Sequence, residues 1–372
     1  MQRALVAVLL LPSAAAGDVL EVPGQFQTIQ QAVDAATAGD EIVVAPGSYS
    51  GFESSVDIIV RGDGSSPDDT TIAGLIEVFD RFSIENLEVA GGLYSPGFDQ
   101  INIENCAVIG QGIVIHNTNL IVTDTRFEGC EDGAVVISDS NTSFTDCDFV
   151  GNSTTQGGGA ISCSDSVLII DNCRFIENLA TQNGGAIEAD TFASELVITD
   201  SAFLGNTAYN GGAIFNDVQF GECEIERCVF RENSSMSGAG ALWMQGNGNA
   251  HPPGSIRDSE FEYNITTDLS GAAAVLVVGA IQPLPEMGGT RFCESQPRNV
   301  LGQFFDEGDN LFDAGCGCRA DINGDGSLTP SDFSAWVSAY NSMSADCDQN
   351  SDGACDPADF SAWVTNYNAG CP

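Results

Sequence analysis

Five near-copies of one tetrapeptide decide the architecture: Phe149-Val150-Gly151-Asn152, Phe175-Ile176-Glu177-Asn178, Phe203-Leu204-Gly205-Asn206, Phe230-Arg231-Glu232-Asn233 and Phe261-Glu262-Tyr263-Asn264. The anchor at their first position extends back to Val89, Val108 and Phe127 and forward to Phe292, with spacings of 19, 19, 22, 26, 28, 27, 31 and 31 residues. Five residues before the first eight anchors stand Ile84, Ile103, Val122, Phe144, Ile170, Ile198, Ile225 and Ile256. Two before them stand Leu87, Cys106, Thr125, Cys147, Cys173, Ser201, Cys228 and Ser259. Between these lies an Asx or its substitute: Asn86, Asn105, Asp124, Asp146, Asn172, Asp200, Arg227 and Asp258. Each unit reads as a strand with alternate residues turned inward, a polar corner, and a second short strand ending at the anchor. A glycine-rich strand start follows, as Gly158-Gly159-Ala160-Ile161, Gly184-Gly185-Ala186-Ile187, Gly211-Gly212-Ala213-Ile214 and the weaker Ala239-Gly240-Ala241-Leu242.

Repeats of this length, stacked in register, build an all-β solenoid: a right-handed parallel β-helix with coils ~4.8 Å apart. Like residues then form columns, Ile on Ile and Phe on Phe. The Asn amides form a ladder at a bend, where each neighbour supplies a donor and an acceptor. An open leucine-rich solenoid would need a leucine signature that this chain lacks.

A solenoid needs caps. Thr28 to Ala38 is amphipathic, with Ile29, Ala32, Val33 and Ala36 on one face, Thr28 and Gln31 placed for a capping box, and Gly39 as the stop. This helix is expected to cover a first coil opened by Ile42, Val43 and Val44. Phe292 to Phe312, which has lost the Asn and glycine signals, is expected to close the far end. Thr28-Ile29-Gln30-Gln31-Ala32-Val33 followed by Gly39-Asp40-Glu41-Ile42-Val43-Val44-Ala45-Pro46-Gly47 resembles the N-terminal cap of pectin-lyase-like β-helix proteins. The Phe-x-x-Asn and Gly-Gly-Ala-Ile motifs resemble polymorphic outer-membrane protein repeats. Together these resemblances span roughly residues 24–312 and imply a fold more than a function. The membrane barrel that the outer-membrane family carries is not expected from residues 1–372.

The 372 residues carry 53 Asp+Glu against 11 Lys+Arg, a formal charge of −42, and every cation is Arg. Such a field excludes non-specific binding to nucleic acid or anionic lipid, which needs clustered cations. The only histidines, His116 and His251, exclude a His-rich metal centre. Residues 1–16 read as an export signal: Arg3, an apolar core from Ala4 to Leu11, and Ala14-Ala15-Ala16 at the cleavage site. Later apolar stretches such as Gly271 to Ile281 are too short for the ~20 residues of a membrane span. The chain therefore divides into the signal, a β-helix over 17–313, a linker over 314–317 and a C-terminal module over 318–372. A secreted or cell-surface location is expected.

The sharpest chemistry lies in that last module. Asp321-Ile-Asn323-Gly-Asp325-Gly326-Ser327-Leu-Thr329-Pro-Ser-Asp332 places oxygen ligands at positions 1, 3 and 5, glycine at 6 and a carboxylate at 12, the pattern of a calcium loop. Asp348-Gln-Asn350-Ser-Asp352-Gly353-Ala354-Cys-Asp356-Pro-Ala-Asp359 repeats it 27 residues later. Ser327 and Ala354 would offer backbone carbonyls, Thr329 and Asp356 would fill position 9, and two Ca2+ ions are expected. Each loop runs into a near-identical helix, Phe333-Ser-Ala-Trp336-Val-Ser-Ala-Tyr340 and Phe360-Ser-Ala-Trp363-Val-Thr-Asn-Tyr367. With no entering helix and Asp at position 12, the pair resembles a type I dockerin. That resemblance implies a small helical domain, the ligand set Asp321, Asn323, Asp325, Asp332, Asp348, Asn350, Asp352, Asp356 and Asp359, and a cohesin-like or other cell-surface protein partner. Positions 10 and 11, Pro330-Ser331 and Pro357-Ala358, depart from a Ser-Thr-type pair.

Cys106, Cys147, Cys173 and Cys228 share one inward column where a small apolar residue suits, as buried thiols or, for Cys147 and Cys173, as a bridge between adjacent coils. Cys318 with Cys371, and Cys347 with Cys355, are further pairings. The outward positions beside the anchors hold Glu88, Arg126, Asp148, Arg174, Glu260 and Arg291. Arg126, Asp148 and Arg174 on successive coils read as a cross-strand ion ladder or as a catalytic constellation. His116 and Trp243 read as packing or groove residues. No catalytic residue is assigned. The expected role is a non-catalytic binding or adhesion platform for a polysaccharide or protein ligand. The competing role is a polysaccharide lyase or glycoside hydrolase, which a cleft of converged carboxylates with Arg174 or Arg231 would favour.

Overall fold

The computed structural model describes residues 17–97, 100–191, 195–218, 223–250, 254–268, 271–272, 274–282, 284–293, 295, 299–313, 320–323, 328–342, 344, 347–349 and 354–369. The export signal, the 314–317 linker, His251, Cys318, Cys371 and the loop positions Asp325, Ser327, Asn350 and Asp352 lie outside these residues.

Every strand pairing in the solenoid is parallel and joins one coil to the next. Three long sheets result. Sheet A has 13 strands, from Val19–Val22 to Phe305–Gly308; sheet B has 12, from Gly47–Tyr49 to Leu311–Asp313; sheet C has 11, from Phe52–Ser54 to Val300–Leu301. A coil runs C, A, B and back to C, as in Leu93–Ser95, Gln100–Glu104, Ala107–Ile109 and Ile113–His116. Later, longer coils add sheet D, five short strands from Ser153–Thr154 to Ile265–Thr266 on the way from B to C.

The anchors stack as the repeat predicts. From Phe127 through Phe149, Phe175, Phe203, Phe230, Phe261 and Phe292 to Phe312, successive ring centroids are 4.5–5.1 Å apart and the planes within 14° of parallel. Burying each ring is worth several kcal/mol, since truncating a core Phe costs about 3–5 kcal/mol. At the corner from A to B every Asx position is left-handed, from Asp124 and Asp258 at φ 47° to Asp146 at 55°. Asx tolerates this backbone because its short polar chain bonds locally. Arg227, at φ 54°, is the exception, and its guanidinium grips Asp200 of the preceding coil through two 2.7 Å hydrogen bonds.

The Asn column is wholly buried and fully used. Oδ1 of Asn206 accepts from both the backbone N–H and Nδ2 of Asn178, each at 3.0 Å, while its own Nδ2 donates to the Phe175 carbonyl at 2.9 Å and to Asn233 Oδ1 at 3.0 Å. The pattern repeats from Asn152 to Asn264. In the coil before, Cys130 occupies the equivalent place, and its N–H donates to Asn152 Oδ1 at 3.0 Å.

Two local expectations change, and one pair of alternatives, buried thiols or a bridge at Cys147 and Cys173, resolves to the thiols. The N-terminal helix α1 is Ile29–Ala35; Thr28 accepts from Gln31 N, but Gln31 Oε1 turns back to Gln27 N, so the box closes one residue early. Phe292 to Phe312 continues the stack instead of sealing it. Leu311–Asp313 keeps register with Arg291–Cys293, which leaves Phe305, Leu311 and Phe312 about half exposed. Cys147 and Cys173 are free thiols, because in-register equivalents project the same way and are not turned toward each other. Their column also selects for hydrogen bonding, not only for small size. Cys147 Sγ approaches the Thr145 carbonyl at 3.2 Å, and Ser201 makes the same contact at 2.7 Å while accepting from Cys173 N at 3.0 Å. The C-terminus is a small helical part, α2 at Pro330–Ser342 and α3 at Pro357–Ala369. No helix among the described residues is long and apolar enough to cross a membrane.

Replacing Asn206 by Ala leaves the Asn178 N–H and one Asn178 Nδ2 hydrogen dry and unpaired. At about 1–3 kcal/mol per orphaned group, a total loss of about 2 kcal/mol or more is expected in urea denaturation. A loss below about 1 kcal/mol would contradict the ladder's role.

Candidate functional site

Alternation in sheet C turns one set of side chains into the core and the other to the outside. In the middle coils the inward set is Ile187, Ala189, Ile214, Asn216, Leu242 and Met244, all buried. The outward set is Glu188 and Asp190, Phe215 and Asp217, then Trp243 and Gln245. Register places Glu188 beside Phe215, Phe215 beside Trp243, and Asp190 beside Asp217. The Phe215 and Trp243 rings lie 5.5 Å apart at 38°. Gln245 links the two columns, donating to Asp217 Oδ2 at 3.1 Å and accepting from Trp243 Nε1 at 3.3 Å. Asn183 donates to Glu188 Oε1 at 2.9 Å.

The three carboxylates enter no salt bridge among the described residues, although most of the arginines there are paired. Burial pushes the Glu188 carboxyl above its ordinary range, against the pull of the Asn183 hydrogen bond, and the Asp190 charge adds to the rise. Burial likewise raises Asp217, again helped by Asp190. Phe215 is buried and Trp243 half-buried, so the part of this face open to a ligand is the edge of Trp243 with the partly desolvated carboxylates, a set that suits hydroxyl donors. Farther along the same face, His116 Nδ1 makes a short hydrogen bond with Ser138 Oγ, and its ring meets the Tyr94 ring edge-on at 6.1 Å.

On sheet B the outward residues read from sequence do share a column, Arg126 beside Asp148 beside Arg174, and Glu260 beside Arg291. Only part of the ladder forms. Arg174 clamps Asp148 with two 2.7 Å bonds, and Arg291 meets Glu260 at 2.9 Å. Arg126 instead reaches Asp68, 58 residues earlier, at 3.1 Å, and Glu128 at 3.2 Å. Asp68 is presented by a 3-10 turn, Pro67–Asp69, that overhangs this flank. Beneath it is a polar cleft of about 340 Å³ that includes Asn105, Asp124, Asp146 and Asp148. Arg231 is buried against Glu262 at 2.8 Å. Neither Arg174 nor Arg231 faces the carboxylates of sheet C.

The C-terminal loops are tied reciprocally. Trp336, on the helix after the first loop, donates to the carbonyl of Cys347, just before the second; Trp363, after the second, donates to the carbonyl of Ala320, just before the first. Both position-12 carboxylates, Asp332 and Asp359, are fully buried. Asp332 accepts from Thr329 N at 2.7 Å and Asn323 N at 3.4 Å; Asp359 accepts from Asp356 N at 2.8 Å and Gln349 N at 2.9 Å. Asp348 is buried as well, Asp321 is partly buried, and Asp356 and Ala354 lie at the surface. Cys347 and Cys355 form a disulfide across the second loop. Anionic side chains held this deep, with no cationic residue in the loop sequences, fit a hard divalent cation. No three His, Cys, Asp or Glu side chains converge as a cage among the described residues, which omit Asp325 and Asp352.

The sequence reading missed Glu188, Asp190, Phe215 and Asp217. Their signal was present, one and three residues after the Ile of each Gly-Gly-Ala-Ile motif, but it becomes a site only when the coils are superposed. The family model described as a right-handed β-helix region matches residues 77–230 and 112–279, together more than half of the chain. No curated protein matches it.

Two outcomes are expected. Glu188 and Asp217 bind protons more tightly in the folded state, so the stability they contribute is complete below the ordinary carboxylate range and is lost as pH rises through their raised values. Glu188→Gln and Asp217→Asn should therefore raise the melting temperature near neutral pH, with the gain shrinking on acidification. Adding EDTA to the intact protein should change the emission of Trp336 and Trp363 and open residues 318–372 to proteolysis; no change in either would count against a cation in the loops.

Proposed function

Because the chain belongs to the right-handed β-helix family, we propose that it is a secreted, non-catalytic binding platform. The outward face of sheet C takes a polysaccharide, and the C-terminal paired loops form a calcium-folded, dockerin-like tether. The observation that carries this reading is the strip formed by Phe215, Trp243, Glu188, Asp190 and Asp217. Phe215 is itself buried and backs the half-buried Trp243, whose exposed part offers a stacking edge for a sugar ring, and the carboxylates and Gln245 accept and donate hydrogen bonds to hydroxyls. The strip runs along the solenoid axis over three coils, the direction in which an extended ligand would lie. A polyanionic ligand is disfavoured by the −42 charge.

Export is supported by the composition of residues 1–16 and by the state of the cysteines. Burial pushes the thiols of Cys106, Cys130, Cys163, Cys223 and Cys228 up to about 12, so unpaired cysteines survive an oxidising compartment. For the tether, Asp321, Asn323, Asp325, Thr329 and Asp332 would hold one calcium ion, with the Ser327 carbonyl. Asp348, Asn350, Asp352, Asp356 and Asp359 would hold the other, with the Ala354 carbonyl. The ion would neutralise carboxylates that otherwise repel one another. A cohesin-like or other cell-surface protein is the proposed partner.

A polysaccharide lyase or glycoside hydrolase is the competing reading, favoured by Asp190 and Asp217 on adjacent coils. A glycan array together with reducing-end and unsaturated-product assays on the mature protein separates the two. Binding without turnover is expected, and Trp243→Ala should weaken it by about tenfold or more, the loss of ~1–3 kcal/mol typical of a central aromatic contact. Turnover that disappears in Asp190→Asn or Asp217→Asn would replace the platform with an enzyme.

A further inference from the structure

The outward face of sheet B changes character along the solenoid. In its early coils it is open: the Arg126 and Glu128 side chains are 44% and 53% exposed. From the Arg174 coil onward, most of the apolar and some of the charged outward residues are buried, although Arg174, Glu260 and Arg291 stay partly exposed. Ile176, Ala202 and Leu204 are 5–6% exposed and form an apolar cluster with Val150 and Val229, and Glu262 and Cys293 continue the buried column. Outward side chains can be buried by the solenoid itself, as Phe215 and Leu276 are on sheet C at 7% exposed, or by another part of the chain lying on them. On this flank the solenoid itself has little to offer. Apart from the early coil whose Pro67–Asp69 turn reaches Arg126, the corner entering sheet B is two residues long, and in the later coils the corner leaving it runs into the strands of sheet D.

We propose that the C-terminal paired-loop module is latched onto this flank, with the second loop seated at Asp348 over Ile176, Ala202 and Leu204. Charge supports the seat. Arg174 is raised above the ordinary arginine range first by its hydrogen bond to Asp148, against burial, and then by the charges of Asp148 and Asp348. Arg231 is lowered by burial but carried above its ordinary value by Glu262, Glu260 and Asp348. The carboxylate that opens the second loop therefore acts on two arginines of different coils. A covalent link points the same way. Cys293, the last outward residue of the column, is disulfide-bonded, while Cys106, Cys130, Cys147, Cys163, Cys173, Cys223 and Cys228 are free and Cys347 is paired with Cys355. The cysteines left to pair with it, Cys316, Cys318 and Cys371, all follow Asp313 in the sequence.

The latch makes the module part of the platform's flank instead of a free-swinging tether. This inference does not depend on what sheet C binds. Hydroxyl-radical footprinting of the full chain tests it, with Ile121 and Ile169, 40% and 43% exposed on sheet A, as internal references. Ile176 and Leu204, each 6% exposed, should be modified about sevenfold less, in proportion to exposure. In Asp348→Arg, which sets like charges at Arg174 and Arg231, modification of Ile176 and Leu204 should rise several-fold toward the references. If that substitution unfolds the module, uncovering of the flank still identifies the module as its cover. Modification of Ile176 and Leu204 at the reference level in the unaltered chain, or unchanged protection in Asp348→Arg, overturns the proposal.

Discussion

The coil-to-coil backbone hydrogen bond, repeated in register along three sheets, is the constraint on which everything else rests. A parallel ladder fixes the rise between coils at ~4.8 Å and brings each residue beside its equivalent one repeat away. Side chains at one position must then tolerate their own kind as neighbours. Phenylalanine does so by offset stacking, isoleucine and valine by dispersion. Asparagine does so because its amide carries a donor and an acceptor that point in opposite directions along the axis. Aspartate in the same buried file would stack acceptor on acceptor, which explains why the ladder from Asn152 to Asn264 is uniform while the exposed corner column mixes Asn, Asp and Arg.

The same rule governs the outside, where it acts on charge. A chain with 53 acidic residues wound on a short repeat stacks like charges unless cations are placed between them. On sheet B the arginines do this, as in Asp148 with Arg174 and Glu260 with Arg291. Ion pairs this exposed each stabilise by at most about 1 kcal/mol, so their role is to relieve repulsion more than to hold the coils together. On sheet C no arginine among the described residues relieves Glu188, Asp190 and Asp217, and the raised carboxyls of Glu188 and Asp217 record the cost.

The C-terminal loops follow a different logic. Each helix is held not by its own loop but by the start of the other, through Trp336 to Cys347 and Trp363 to Ala320. The two motifs therefore stand or fall together, and the duplication is a structural necessity as well as a sequence feature. A core limited to Ala320, Trp336, Trp363 and a few half-buried neighbours is small, so a cation or a surface to lean on contributes much of what a larger core would.

The inward half of this protein was legible in its sequence. Burial imposes alternation, register imposes repetition, and both leave their mark within a few residues of each Phe and Asn; the fold class, the stacked columns and the loop pattern therefore follow from spacing alone. The outward half was not. Arg126 faces Asp148 in register yet pairs with Asp68 from a distant turn, and the Glu188, Phe215, Trp243 strip assembles from coils 27 or 28 residues apart. Ile176 and Leu204 point away from the core and are buried all the same. Local sequence determines which side chains leave the core, because that choice is made by the backbone's own period. What they meet outside depends on reach, rotamer and whatever other part of the chain comes to rest there, and only the tertiary structure decides that.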